Sequence, residues 1–193
     1  MSSIEKAKAA DTAGSAITKT LQSGESATAK GVYTMQCFDK DGNLKWEAEC
    51  PNLVVNVGLQ DMNNKYFLGS AYTATWYIGL YGSGASNSPA AGNTMASHSS
   101  WTEETGYSQA TRPACTFATP TTANPSVATN SASPAVYSIN ATATIGGAFL
   151  VSDNTKSGST GTLYSASDFT SPGDRSVVSG DTLNVTYTLS LAG

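Results

Sequence analysis

From Leu183 to Leu191 every second residue is apolar: Leu183, Val185, Tyr187, Leu189 and Leu191 alternate with Asn184, Thr186, Thr188 and Ser190. A two-residue period places successive side chains on opposite faces of an extended strand, so this segment has one apolar face and one hydroxyl-rich face. An apolar strand face has to be covered by another layer. Ser179-Gly180-Asp181 supplies a turn leading into it. The same pattern recurs near the other end of the chain. Tyr33, Met35 and Cys37 share one face, Asp39-Lys40-Asp41-Gly42 makes a turn, and Leu44, Trp46, Ala48 and Cys50 alternate with Lys45, Glu47 and Glu49. That arrangement is a β-hairpin with one buried face and one wet face.

Further strands are expected at Thr75–Tyr81, Ala135–Ala141, Thr144–Val151 and Gly161–Ser165. Pro51 closes the hairpin's second strand, and Asn52 to Asn56 is short and extended. Asn56 is placed to cap one helix from Val57 to about Phe67, with Leu59, Met62, Tyr66 and Phe67 at helical spacing and expected to be buried on a sheet. Gly82 to Pro89 is rich in chain breakers and reads as a loop. Ala90 to Pro134 reads as a long irregular excursion anchored by Trp101, Tyr107 and Phe117. Loops of that length are uncommon unless they bind something. About seven to nine short strands with regular turns and one helix imply a mainly β protein, an antiparallel β-sandwich of jelly-roll or immunoglobulin-like type. The expected organisation is an extended N-terminal arm over residues 1–30 and a single sandwich domain over 31–193. In the arm only Ile4, Ile17 and Leu21 interrupt a run of Ala, Ser, Thr, Lys and Gly, too few to hold a helix to a core of its own.

Charged residues make up 12% of the chain, about half the usual share. After Lys65 only Arg112, Lys156 and Arg175 are basic, and His98 is the single histidine. A net charge of −4 without a Lys/Arg cluster gives no footprint for nucleic acid. No apolar run approaches the length of a membrane span, and the opening MSSIEKAKAADTAGSAITKT lacks the continuous apolar core of a signal peptide. Cys37, Cys50 and Cys115 follow no zinc spacing. Cys37 lies about five residues, roughly 16 Å, along the hairpin from the position opposite Cys50, beyond disulfide reach. Reduced, packing thiols are expected, in keeping with assembly in a reducing cytoplasm.

Groups that could carry chemistry are sparse. Asp39, Asp41 and Asn43 resemble part of a calcium loop, but the first and twelfth ligands of that register would be Cys37 and Ala48. His98 stands among serines near Glu103 and Glu104, without a G-x-S-x-G elbow. Adjacent glutamates on a strand point to opposite faces, which argues against a glycosidase pair. The glycosylation patterns at Asn140 and Asn184 fall within or beside strands and are discounted. No catalytic residue, cofactor site or metal site is therefore expected. Aromatics remain, and Trp and Tyr dominate protein interfaces. If the chain works by contact, Ile4, Ile17 and Leu21 of the arm and Trp101 and Tyr107 of the excursion are the side chains expected to make it, Trp101 above all because its surroundings are polar.

The ordered segments NLVVNVGLQDM, TATWYIGLYG, GNTMASHSSWTEETGYSQATRPACTF, ATIGGAFLVSDNTKSGSTGTLYSASDF and VSGDTLNVTYTLSLAG resemble virion proteins of tailed bacteriophages, in particular head decoration or cement proteins. The resemblance spans about Val32 to Gly193 and excludes the first 30 residues. It implies a non-catalytic protein that binds the outer capsid lattice and stabilises it. The partner would be the major capsid protein, with self-association into dimers or trimers, on the capsid exterior of a virion assembled in the host bacterial cytoplasm. The alternative is a tail-fibre or receptor-binding module in which the Ala90–Pro134 excursion and Trp101 meet host carbohydrate. A depolymerase stands third.

Overall fold

The computed structural model describes residues 26–73, 75–82, 88–169 and 173–193. The chain runs β1 (Thr28–Phe38), β2 (Leu44–Pro51), β3 (Leu53–Val54), α1 (Asn56–Phe67), β4 (Trp76–Gly82), β5 (Glu103–Glu104), β6 (Ala114–Cys115), β7 (Ser126–Thr129), β8 (Ala135–Ser138), β9 (Ala143–Val151), β10 (Leu163–Asp168), β11 (Arg175–Val177) and β12 (Thr182–Ala192). These strands form two antiparallel sheets that pack on each other as a β-sandwich with one helix. The first sheet has the order β2-β1-β12, and the free edge of β12 is shared by β7 and β8. In the second the order is β3-β10-β9-β4, with β11 extending the β10 side of β9 and β5 and β6 sharing the outer edge of β4.

The hairpin forms as its sequence dictates. Asp39 Oδ1 accepts the N–H groups of Asp41 and Asn43 at 2.9 Å each, and Gly42 takes φ of 83°, a left-handed conformation that glycine adopts without strain. Cys50 pairs with Tyr33 and Cys37 with Trp46, and all three cysteines are buried and free. β1 begins at Thr28, so Thr28, Ala29 and Lys30, expected in the arm, belong to the sheet and pair with Ala192, Leu191 and Ser190.

Two hydrophobic clusters hold the fold. The inner one lies between the sheets, where Tyr33, Met35, Leu183, Val185 and Tyr187 meet Ile78, Leu80, Ile145, Ala148 and Leu150. Burying each large side chain stabilises the fold by about 1.5–3 kcal/mol. Its tyrosine hydroxyls tie the layers together: Tyr33 Oη lies 2.8 Å from Ser165 Oγ, and Tyr137 donates to the Ile78 carbonyl at 2.6 Å. The outer cluster lies on the other face of the second sheet, where Val55, Met95 and Trp101 cover Tyr81, Phe149, Val151 and Ala166. Of the Ala90–Pro134 excursion, Met95 and Trp101 belong to this outer cluster and Tyr107 and Cys115 to the inner one, while residues 118–125 are exposed. The excursion also carries three short strands, β5, β6 and β7.

The helix is where the sequence places it, but its burial differs from expectation. Val55, not Asn56, occupies the N-cap, and no side chain caps the helix. Gly58 is its buried residue and sits against the backbone of Tyr164, where a Cβ would collide with the carbonyl. That approach turns the face of Gly58, Met62 and Lys65, spaced i, i+4, i+7, toward the sheet. Met62 packs on the core, while Leu59, Tyr66 and Phe67 are rotated away and exposed.

Candidate interaction surface

One end of the sandwich is open. There Met62, Trp76, Phe117, Leu150, Tyr164 and Leu189 line an apolar cavity of about 180 Å³. Trp76 meets Tyr164 edge-on at 5.6 Å, and Tyr164 donates to Met62 Sδ at 3.2 Å. Burial pushes the Tyr164 hydroxyl up to about 12. On the rim, Asp61 and Lys65 form an i,i+4 pair at 3.3 Å, and Lys65 Nζ also donates to the Ala71 carbonyl at 2.8 Å. This pair fixes the helix end beside the cavity without closing it.

Immediately after Lys65 the chain presents the most exposed large apolar side chains among the described residues. Tyr66, Phe67, Leu68 and Tyr72 are 84%, 74%, 77% and 82% exposed. The local sequence forces this. Gly69 at φ 65° ends the helix, and the Ser70 N–H returns to the Asn64 carbonyl at 3.1 Å, so the last turn projects beyond the part of the helix docked on β10. Tyr66 and Phe67 meet edge-on at 4.9 Å. Four such side chains offer apolar surface on the order of 500 Å². Apolar area of that size is comparable to the largest patch of a typical monomer, which is often functional.

The residues expected to make contacts are placed otherwise. Trp101, at 2% exposure, is buried between Tyr81 and Phe149, with ring centroids at 5.5 and 5.0 Å. Its polar neighbours cover it. His98 stacks on the indole at 4.0 Å and donates from Nδ1 to the Trp101 carbonyl, while Trp101 Nε1 donates to Asn93 Oδ1 at 3.0 Å. Tyr107, at 1% exposure, packs edge-on against Tyr137 and lies beneath Lys156 Nζ, 3.9 Å from its ring centroid. Burial pushes its hydroxyl upward. Neither side chain reaches the surface, which corrects the expectation that they form an interface. Ile4, Ile17 and Leu21 lie outside the described residues.

The acidic residues near His98 are committed internally. Arg112, fully buried, donates through Nε and Nη2 to the two carboxylate oxygens of Glu103 at 2.9 and 2.7 Å, and its Nη1 and Nη2 also reach the carbonyls of Asp153 and Gly158. The Ser157 N–H donates to the same carboxylate at 2.8 Å, with Ser157 at φ 59°. Glu104 accepts the Gly106 N–H at 2.7 Å. With the His98 ring stacked and Glu103 bound to a guanidinium, this cluster has no base and orienter poised on a nucleophile. Arg112 was not singled out from sequence. Its signal was isolation, the one basic residue between Lys65 and Lys156 in an otherwise neutral stretch. Among the described residues no group of three or more His, Cys, Asp or Glu converges as metal ligands, and no helix is long and apolar enough to cross a membrane. Comparison with protein-family models, with curated proteins and with solved structures finds no match to this chain.

Proposed function

We propose that this chain is a structural protein of a tailed-bacteriophage virion that binds the outer capsid lattice as a decoration or cement protein, and that Tyr66, Phe67, Leu68 and Tyr72 are the side chains that meet the major capsid protein. The observation that carries this reading is the exposed apolar segment at the open end of the sandwich. It is displayed on a double-layered β scaffold whose other large aromatics are mostly consumed in packing. The resemblance of the ordered segments between Val32 and Gly193 to such virion proteins supports the same reading. The mechanism is linkage: a contact made only with the mature lattice stabilises that lattice by mass action, with no bond made or broken. The carbohydrate-binding alternative draws on the Ala90–Pro134 excursion and on Trp101, of which the Trp101 indole is stacked and buried.

The test is the copy number of this chain per purified virion, measured against the major capsid protein by mass spectrometry with labelled peptides. A ratio comparable to that of the capsid subunit is expected, and a handful of copies would move the protein to a vertex or the tail. Phe67→Ser with Tyr66→Ser removes two side chains that each contribute about 1.5–3 kcal/mol when buried. It is expected to weaken lattice binding at least about tenfold, with the unfolding midpoint little changed because both side chains are exposed in the free protein.

A further inference from the structure

We infer that a second copy of this chain covers the open end of the sandwich, with Phe67 of one copy seated in the apolar cavity of the other. A hole and a projection stand side by side there. The hole is the cavity of about 180 Å³ bounded by Met62, Trp76, Phe117, Leu150, Tyr164 and Leu189. An apolar cavity of roughly 150 Å³ accepts benzene, so this one has room for a phenyl ring. Three of its walls are aromatic and offer faces and edges for such a ring to pack on. The projection is the end of α1, where Phe67, 74% exposed, is the aromatic side chain without a polar atom. The helix keeps a chain's Phe67 out of its own cavity. Lys65 lines that cavity, and at 3.6 residues per turn Phe67 lies about 200° further round the axis, on the opposite side.

Charge and area favour a copy of the same chain as the source of that ring. Between Asn56 and Trp76 the charged residues are Asp61 and Lys65, and they pair with each other at 3.3 Å. Two such segments therefore meet without the like-charge juxtaposition that opposes association. Covering Tyr66, Phe67, Leu68 and Tyr72 removes on the order of 500 Å² from one copy, and a similar area from the surface that covers it. The total, about 1,000 Å², reaches the area at which a specific protein interface begins. This contact goes beyond the capsid reading and does not depend on it. Where the chain also binds a lattice, the second copy keeps the same side chains covered until the lattice takes its place.

The experiment uses the purified full chain with no virion present, so its outcome is separate from the copy-number measurement. Sedimentation equilibrium over a micromolar concentration range is expected to show a reversible species of two or more chains. Phe67→Ser is expected to weaken that association at least about tenfold, and Phe67→Leu, which keeps an apolar side chain, is expected to weaken it less. In ¹⁵N-labelled protein the Trp76 indole N–H resonance is expected to move on dilution. That of Trp101, buried in the outer cluster, should hold still and report that the fold is intact. A chain that stays monomeric throughout the range would overturn the proposal. So would an association indifferent to Phe67→Ser, or one that leaves the Trp76 resonance unmoved, since either would place the contact elsewhere on the surface.

Discussion

The two sheets solve the same problem differently. In the first, β1 from Gly31 to Phe38 and β12 from Thr182 to Thr188 alternate residue by residue between buried and partly exposed positions, one face on the inner core and the other toward water. The second sheet is buried on both faces, so β4, β9 and β10 read as continuous buried runs, Ile78–Gly82, Ile145–Val151 and Leu163–Ser167. The difference lies in what covers the outer face. The segment carrying Met95 and Trp101 folds over Tyr81 and Phe149 and is pinned by a buried ion pair. A sandwich with a third, irregular layer has two cores, one assembled by strand pairing and one by side chains of a long connection. The latter depends on far fewer residues.

The sharpest way to break that second core is through Arg112. Arg112→Ala leaves the Glu103 carboxylate, 6% exposed, without its partner. Removing one member of a buried pair costs about 3–5 kcal/mol, and the guanidinium packed 5.2 Å from the Phe149 ring centroid adds a packing loss. Urea unfolding should show the destabilisation. Native-state hydrogen exchange should show it concentrated in the outer layer, with the amides of β1 and β12 keeping relatively more protection. The double variant Arg112→Leu with Glu103→Leu should be less damaging than Arg112→Ala, because no charge is stranded. Equal loss of protection in both sheets would mean that the outer layer is not a separable unit.

Trp101→Ala tests the same layer through packing. Deleting a buried indole costs about 3–5 kcal/mol, here with the Asn93 hydrogen bond and the His98 stack lost as well. Its effect should fall on the outer layer and should leave binding by the Tyr66–Tyr72 segment intact once stability is corrected for. A variant that keeps full stability while losing partner binding would return Trp101 to the surface and undo the assignment.

These two residues also show where sequence reading stops. The first sheet was legible because alternation at Leu183–Leu191 and in the hairpin reports which side faces the core. The sandwich class and the position of the helix followed from the same periodicity. The outer core carries no such period: Met95 and Trp101 stand six residues apart among serines and threonines, and their burial depends on contacts with strands distant in sequence. A signal was nevertheless present in their targets. Strands such as WYIGLY and IGGAFLV, apolar at consecutive positions, need cover on both faces, and the long excursion was the available cover. The polar surroundings of Trp101 suggested exposure because sequence shows composition but not aim, and His98 and Asn93 aim at the indole. Leu59, Tyr66 and Phe67, expected on a buried face, are exposed for the converse reason. Helical spacing places residues on a common face, but Gly58, by permitting contact with Tyr164, decides which face docks.

The cores differ in titratable content too, and pH separates them. Cys37, Cys50 and Cys115 all belong to the inner core, and the outer cluster contains no thiol. Burial pushes each thiol from its ordinary value near 9 up to about 12, in Cys115 with no other cause. Between those limits the unfolded chain has released protons that the folded chain retains, so the unfolded state binds fewer and stability falls as pH rises. Below pH 9 both states hold the proton and the thiols contribute no pH dependence. Above it, each buried thiol costs up to about 1.4 kcal/mol per pH unit. Cys115→Ala should therefore flatten the decline in unfolding free energy between pH 8 and pH 10 by about 1.4 kcal/mol. The Trp101→Ala variant, its lesion in the thiol-free layer, should keep the wild-type slope. Identical slopes for wild type and Cys115→Ala would show that the thiol titrates freely in the folded chain, and that the inner core near β6 admits water where the packing places none.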